Sequence, residues 1–229
     1  MSFSRVDQFI ETAIQDKELP GAVLAVTNAK DVLYCKAFGM AHTNQQIPMS
    51  EQTIFDCASL TKVVATASSV LLLLEQGVID IDDSISYYFP ELKEMHEEVR
   101  IRHLLTHTSG FRAEIKFYKE QIAYTDVMER IAQEKGRGSV EQQVIYSDVN
   151  YIVLGKLIEK VTGISLGDYA HKHIFQPLGM HNTLFNPPVQ LQGKIAATEF
   201  RTYLNKHQWG EVHDENALHF GGVSGHAGL

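Results

Sequence analysis

The 229-residue chain has few cysteines, no apolar run of transmembrane length and no basic stretch, and each shortage excludes a class of protein. Cys35 and Cys57 are the only cysteines, so the sequence predicts no disulfide framework and favours a reducing compartment. No stretch reaches the roughly 20 apolar residues of a transmembrane helix. Residues 1–18 place apolar side chains at helical spacing, whereas a signal peptide needs a continuous apolar core. We therefore predict a cytoplasmic protein with no membrane partner.

Positive charge is also scarce. The chain has 20 Lys and Arg residues against 28 Asp and Glu residues, which gives a formal net charge of -8. Because no basic run or stripe is present, nucleic acid is not an expected partner. With 44% hydrophobic and 21% charged residues, the chain can bury a substantial core as one large domain or two small ones.

Hydrophobic periodicity and turn residues divide the chain into a short sheet region followed by a helical block. Breaks are predicted at Gly77, at 136–138 and at Gly163. The predicted elements are an amphipathic helix within 1–18, strands at 22–26 and 32–38, an irregular segment at 39–50, and helices at 63–75, 151–161 and 166–175. Residues 186–229 are rich in Gly, Asn and His and show few clear strands.

A Ser-x-x-Lys pattern, formed by Ser59 and Lys62, opens the helix predicted at 63–75. Residues three apart lie on the same helix face, so the amine could activate the hydroxyl as a nucleophile. Residues 63–75 are apolar nearly all round, which predicts a buried helix that ends at Gly77. A lysine at the head of such a helix loses hydration, which favours its neutral, basic form.

The spacing by itself also fits a simpler structure, in which Ser59 is a helix N-cap and Lys62 is solvated. Other segments decide between the two interpretations. The segments that carry information are Phe55 to Lys62, Ile101 to Gly110, Tyr146-Ser147-Asp148, the helix residues Leu154-Gly155 and Thr162-Gly163, Pro177 to Met180, and Gly221 to Leu229.

In this order and spacing, these segments resemble the serine β-lactamase and penicillin-binding-protein superfamily. The resemblance is to its class C β-lactamase-like group, which also contains esterases and D-amino-acid peptidases. It implies an α+β, serine β-lactamase-like (DD-peptidase) fold, in which a helical subdomain is inserted in an antiparallel-sheet α/β subdomain. Residues 1–60 and about 185–229 would form the sheet lobe, and about 61–184 the mainly helical lobe.

The resemblance also implies the site residues. Ser59 would be the acylated nucleophile, Lys62 its base partner, and Tyr146 the phenol that relays protons between them. Asp148 stands where the family most often has asparagine, at a position that contacts the lysine and the substrate. A carboxylate there would pair with Lys62, make it a poorer base and repel a substrate carboxylate. No cofactor and no metal are expected.

Two histidine patterns have competing interpretations. His103 and His107 have i, i+4 spacing, which could bind zinc from one helix face, but the family uses this segment as a structural turn. His213-Asp214-Glu215 could form a metal or catalytic pair, although a loop role fits the family better.

In the family, a further catalytic strand lies beyond a segment like Gly225-His226-Ala227-Gly228-Leu229. The sequence therefore predicts a chain that lacks the C-terminal strands and helix, and with them a second oxyanion donor. The exposed sheet edge would permit self-association. Two functions follow: a serine hydrolase that forms an acyl-enzyme with a β-lactam, a D-alanyl peptide or a small ester, or an impaired homologue that binds a peptide-like ligand or partner without turnover.

Overall fold

The computed structural model describes residues 2–134, 138–202 and 205–229, so most of the break predicted at 136–138 lies outside the described residues. Contacts divide the chain into two units. The first contains residues 1–56 and 187–210, and the second contains residues 57–186 and 211–229. The sequence assigned about 185–229 to the sheet lobe, whereas residues 211–229 group with the helices here.

An amphipathic helix and an antiparallel sheet form most of the first unit. Helix α1 spans Ser4–Gln15, as the apolar spacing of residues 1–18 predicts. The sheet has the order β1-β2-β3, with β1 at Gly21–Thr27, β2 at Val32–His42 and β3 at Ile47–Pro48. Asn28 Oδ1 accepts hydrogen bonds from the backbone N–H groups of Lys30 and Asp31, both at 2.7 Å, which stabilises the turn between β1 and β2.

The prediction of an irregular segment at 39–50 is wrong in part, because β2 continues to His42 and pairs with β3, whereas the residues between these strands form turns. The rest of the first unit contains a 3₁₀ helix at Val189–Lys194 and a two-stranded sheet of β4 (Phe200–Arg201) and β5 (Lys206–His207).

The second unit is helical and is organised around one long buried helix. The helices are α2 at Ser68–Glu75, α3 at Ile85–Tyr88, α4 at Lys93–His96, α5 at Ile101–Leu105, α6 at Phe117–Glu120, α7 at Val127–Ala132, α8 at Asp148–Thr162, α9 at Leu166–Ala170 and α10 at Glu215–His219. Single 3₁₀ turns lie at Pro90–Leu92 and Tyr124–Asp126, and π-helical turns at Lys62–Ala67 and His171–Phe175.

Helix α8 is the centre of the hydrophobic core. Nine of its 15 residues are buried, and Gly163 ends it in the left-handed conformation with φ 74°, which a glycine adopts without strain. A Ser147 side chain caps its start by accepting a hydrogen bond from the Asn150 backbone. The predicted helix at 151–161 is thus confirmed and begins one turn earlier.

The helix predicted at 63–75 is present but is not buried on every side. Residues Lys62–Ala67 form a π-helical turn that continues directly into α2. The side chains of Val63 and Leu71 are 55% and 58% exposed, so one face of this helix lies at the surface of its unit. Among the described residues, no helix is both long and apolar enough to cross a membrane.

Candidate active site

Ser59 lies in the turn that leads into the π-helical segment. The backbone N–H of Lys62 donates to the Ser59 carbonyl at 3.1 Å, which closes the first turn. The preceding residue, Ala58, has φ 43°, a left-handed conformation that costs a residue with a Cβ roughly 1–3 kcal/mol. Ser59 itself is exposed. The chain therefore presents this hydroxyl on a strained turn at the N-terminal end of a helix.

Lys62 is buried beneath that turn, with only 3% of its surface exposed. Its Nζ lies 2.9 Å from Ser59 Oγ, 3.2 Å from the His226 carbonyl oxygen and 2.7 Å from Asp148 Oδ1. An ammonium has three N–H donors and no acceptor, and these three oxygens satisfy all of them. The resting geometry is therefore that of a protonated lysine, which must lose a proton before it can accept one from Ser59.

Tyr146 places its ring against the same ammonium. The Lys62 Nζ lies 4.8 Å from the centre of the Tyr146 ring and 6.0 Å from that of Tyr151, within the range of cation–π attraction. Tyr146 is 55% exposed, so its ring is open to solvent on one side. The structure thus brings all four sequence-predicted site residues together: Ser59, Lys62, Tyr146 and Asp148.

Asp148 reaches Lys62 from the first turn of α8. Its backbone N–H donates to the Ala113 carbonyl at 2.8 Å, and the preceding Ser147 hydroxyl donates to the Arg112 carbonyl at 2.7 Å. A carboxylate in a first helical turn is stabilised by the helix dipole. The carboxylate is therefore held beside Lys62 by the helix start as well as by the ion pair.

His107 supports the segment that carries Tyr146. It lies just after α5 with φ 59°, and its Nδ1 accepts a hydrogen bond from the Ser147 backbone N–H at 3.0 Å. Its ring centre is 4.6 Å from that of Tyr146. Burial and the Lys62 charge lower the pKa of His107, which keeps the ring neutral and Nδ1 free to accept.

The zinc interpretation of His103 and His107 finds no support in the contacts of these residues. His103 Nε2 lies 2.9 Å from Glu141 Oε1, whereas His107 contacts Ser147 and Tyr146. Among the described residues, no group of three or more His, Cys, Asp or Glu side chains could hold a metal ion.

The segment 225–229 was not predicted to touch the nucleophile, yet it lies along the helix that follows Ser59. Leu229 makes two hydrogen bonds to the turn around Ser59: the Cys57 N–H donates to its carbonyl at 2.8 Å, and its own N–H donates to the side-chain Oγ1 of Thr61 at 3.1 Å. The Thr66 hydroxyl donates to the Gly225 carbonyl at 2.7 Å. These contacts bring the His226 carbonyl to Lys62.

Position 225 requires glycine because the backbone there packs directly against the backbone of α8. A Cβ on Gly225 would lie 1.8 Å from the Tyr151 carbonyl oxygen, and a Cβ on Gly155 would lie 3.0 Å from the Gly225 Cα. The repeated glycines in the sequence were the one visible signal for this contact, but a glycine pattern alone does not tell which backbone approaches it.

Comparison with known proteins gives a consistent result. Residues 6–229 match the family described as Beta-lactamase. A relative from Salmonella agona (strain SL483) named "Putative D-alanyl-D-alanine carboxypeptidase" is 32% identical over 260 residues, which cover 98% of this chain and 60% of the relative. The chain thus spans about three fifths of the length of the curated relatives that it matches.

Solved structures share the fold. A class C beta-lactamase superposes with a TM-score of 0.75 at 27% identity, over 90% of this chain and 60% of that one. The octameric penicillin-binding protein homologue from Pyrococcus abyssi superposes with a TM-score of 0.77 at 25% identity, over 100% of this chain and 53% of that one. The predicted serine β-lactamase-like fold is thereby confirmed.

Proposed function

The chain belongs to the Beta-lactamase family, and from this membership and the site geometry we propose that it supplies the nucleophile and the proton-transfer groups of a serine hydrolase. Ser59 is the nucleophile, and Lys62 and Tyr146 share the protons that the reaction moves. The observation that carries the proposal is the 2.9 Å contact between the buried Lys62 Nζ and the exposed Ser59 Oγ.

The reaction proceeds through an acyl-enzyme. The Ser59 oxygen forms a bond to the substrate carbonyl carbon while its proton passes to the Lys62–Tyr146 pair. The bond to the leaving group then breaks, and the leaving group takes the proton. Water next attacks the ester carbonyl, so that the carboxylic acid product and the Ser59 hydroxyl are released. Because Lys62 is protonated at rest, a proton must first leave this pair.

The substrate class follows from relatives and from charge. Relatives with the D-alanyl-D-alanine carboxypeptidase name and class C β-lactamases support an acyl donor of the D-alanyl peptide or β-lactam type. Asp148, 26% exposed and 2.7 Å from Lys62, adds negative charge beside the nucleophile. Since this charge repels a substrate carboxylate, we expect small esters without a carboxylate to acylate Ser59 faster than penicillins do.

The second candidate is a homologue that binds a peptide-like ligand or partner without turnover. The observation that favours it is the same Lys62–Asp148 ion pair, which holds the general base in its inactive, protonated form.

The experiment is intact-mass measurement of the purified chain before and after incubation with a fluorophosphonate and, separately, with a penicillin. The reaction predicts an adduct that Ser59→Ala abolishes and that Ser68→Ala, a serine on the same helical stretch, retains. A folded wild-type chain that acquires no adduct from either reagent would contradict the hydrolase and favour the binding protein.

A further inference from the structure

Three side chains near Lys62 form a serine–histidine–aspartate row, in which Ser224 and His226 are buried and Asp214 is partly exposed. Ser224 Oγ lies 2.9 Å from His226 Nδ1, and His226 Nε2 lies 2.8 Å from Asp214 Oδ1. The order is that of a catalytic triad, but Ser224 is fully buried and His226 is 1% exposed. Because no substrate carbonyl can reach this serine, the row is not a second nucleophilic site and needs another use.

The row is connected to the site through the backbone of its histidine. A carboxylate only accepts hydrogen bonds, so His226 Nε2 donates to Asp214, and Nδ1 forms a hydrogen bond with the Ser224 hydroxyl. Both ring nitrogens are therefore held. The carbonyl of the same residue accepts from Lys62 Nζ at 3.2 Å. Fixing the ring thereby fixes the direction of one of the three oxygens that hold the ammonium.

Asp214 is itself anchored to the protein. It is the N-cap of α10, and its Oδ1 accepts from the Ala217 backbone N–H at 2.8 Å. The same oxygen thus links α10 to His226. A helix start, a buried imidazole and the catalytic lysine form one continuous chain of contacts.

We propose that Asp214 and His226 are positioning residues for Lys62: they orient the His226 carbonyl toward the ammonium and set the charge around it. The kinetic test of this inference, the rate of Ser59 acylation, rests on the proposed function. The structural test, the NMR signal of the Lys62 ammonium, does not require any activity. The sequence pattern His213-Asp214-Glu215 therefore has a use near the site, through Asp214, that is neither metal binding nor direct catalysis.

The charge of Asp214 bears on the same lysine. Burial raises the pKa of Asp214, but the hydrogen bond and charge of His226, the hydrogen bond from the Ala217 N–H and, as the smallest contribution, the charge of Lys62 together leave that pKa below its usual value, so Asp214 is anionic near neutral pH. Asp214 thus adds a negative charge to the surroundings of Lys62. The other titratable groups that face Lys62 are Asp148, Tyr146, Tyr151 and His107.

Two substitutions at Asp214 separate orientation from charge. Asp214→Ser retains a side chain that can cap α10 but is too short to hold His226, whereas Asp214→Asn retains both contacts and loses only the charge. We expect Asp214→Ser to lower the rate constant of Ser59 acylation by a fluorophosphonate about 10- to 100-fold at pH 7, because misplaced catalytic groups cost rates of this order.

Asp214→Asn should instead move the pH profile of acylation to lower pH by at least about half a unit, because the Lys62–Tyr146 pair then gives up its proton more easily. Ser165→Ala, which removes the N-cap of α9, is the control for lost helix capping and should leave the rate and the pH profile unchanged. Unaltered acylation and an unaltered pH profile in both Asp214 variants would overturn the proposal.

A second measurement does not require activity. The ¹⁵Nζ resonance of Lys62, recorded in a spectrum tuned to lysine ammonium groups, should be visible in the wild type because the group is buried and fully hydrogen bonded. It should broaden or disappear in Asp214→Ser and remain in Ser165→Ala. If wild-type Ser59 is never acylated but this pattern is found, the hydrolase proposal fails and the positioning role stands. A wild-type resonance that is absent, or one that is unchanged in Asp214→Ser, would refute the positioning role.

Discussion

Replacing Asp148 by Asn should accelerate acylation of Ser59. The carboxylate lies 2.7 Å from Lys62 Nζ and holds the lysine in the protonated form that cannot accept the Ser59 proton. An asparagine oxygen can still accept the same hydrogen bond, so the substitution removes charge while it keeps the geometry. The fraction of neutral amine should rise accordingly.

The size of the effect follows from the ion pair. Two unit charges 4 Å apart interact by about 4 kcal/mol at an effective dielectric constant of 20, and partial exposure of Asp148 with competing hydration reduces the useful part to ~1–2 kcal/mol. Since 1.4 kcal/mol is a factor of ten, we expect acylation to be roughly 5- to 30-fold faster near neutral pH.

The assay is the rate of mass adduct formation with a fluorophosphonate, measured for Asp148→Asn and for Asp168→Asn. Both aspartates lie in the first turn of a helix, so the control reproduces the loss of a helix-dipole interaction, worth about 0.3–1 kcal/mol, without touching Lys62. Thermal unfolding of both variants would show that they are folded. An unchanged or slower rate in Asp148→Asn would refute the argument that the carboxylate restrains the base.

Three further outcomes are expected. Gly225→Ala should destabilise the chain by about 2–4 kcal/mol in thermal unfolding, because its Cβ would lie 1.8 Å from the Tyr151 carbonyl oxygen. The control Gly167→Ala, whose Cβ would lie 3.4 Å from its nearest neighbour, should be tolerated. Equal stability of the two variants would contradict the tight packing of Gly225 against Tyr151. Lys62→Met should reduce acylation about 100- to 10,000-fold while the chain stays folded, and a rate near that of the wild type would remove Lys62 from the mechanism. Burial lowers the folded-state pKa of His107 below 6.5, so stability should fall as pH drops through about 6.5. His107→Asn, which tolerates the left-handed backbone, should weaken that dependence in unfolding measured from pH 8 to 5, and an unchanged dependence would contradict the assignment.

The sequence predicted those elements whose signal is local. The spacing of apolar residues located α1 and α8, and Gly77 and Gly163 marked helix ends where both have positive φ. The sequence did not show strand β3 or the end of β2 at His42, because a strand of two residues has no periodicity to detect. It also overestimated the burial of the helix after Ser59, since an apolar composition does not specify which face finds a partner.

For the site, the sequence by itself determined the reacting groups. Ser59 and Lys62 are three residues apart, so helix geometry brings them together once the segment is helical, and the family resemblance added Tyr146 and Asp148. Only the tertiary structure decided that the third acceptor of the ammonium is the His226 carbonyl, 164 residues away, and that Asp214 holds that histidine. The reason is physical: any residue can offer a backbone carbonyl, so its place at a site leaves no mark in residue type and depends on which chain segments pack together.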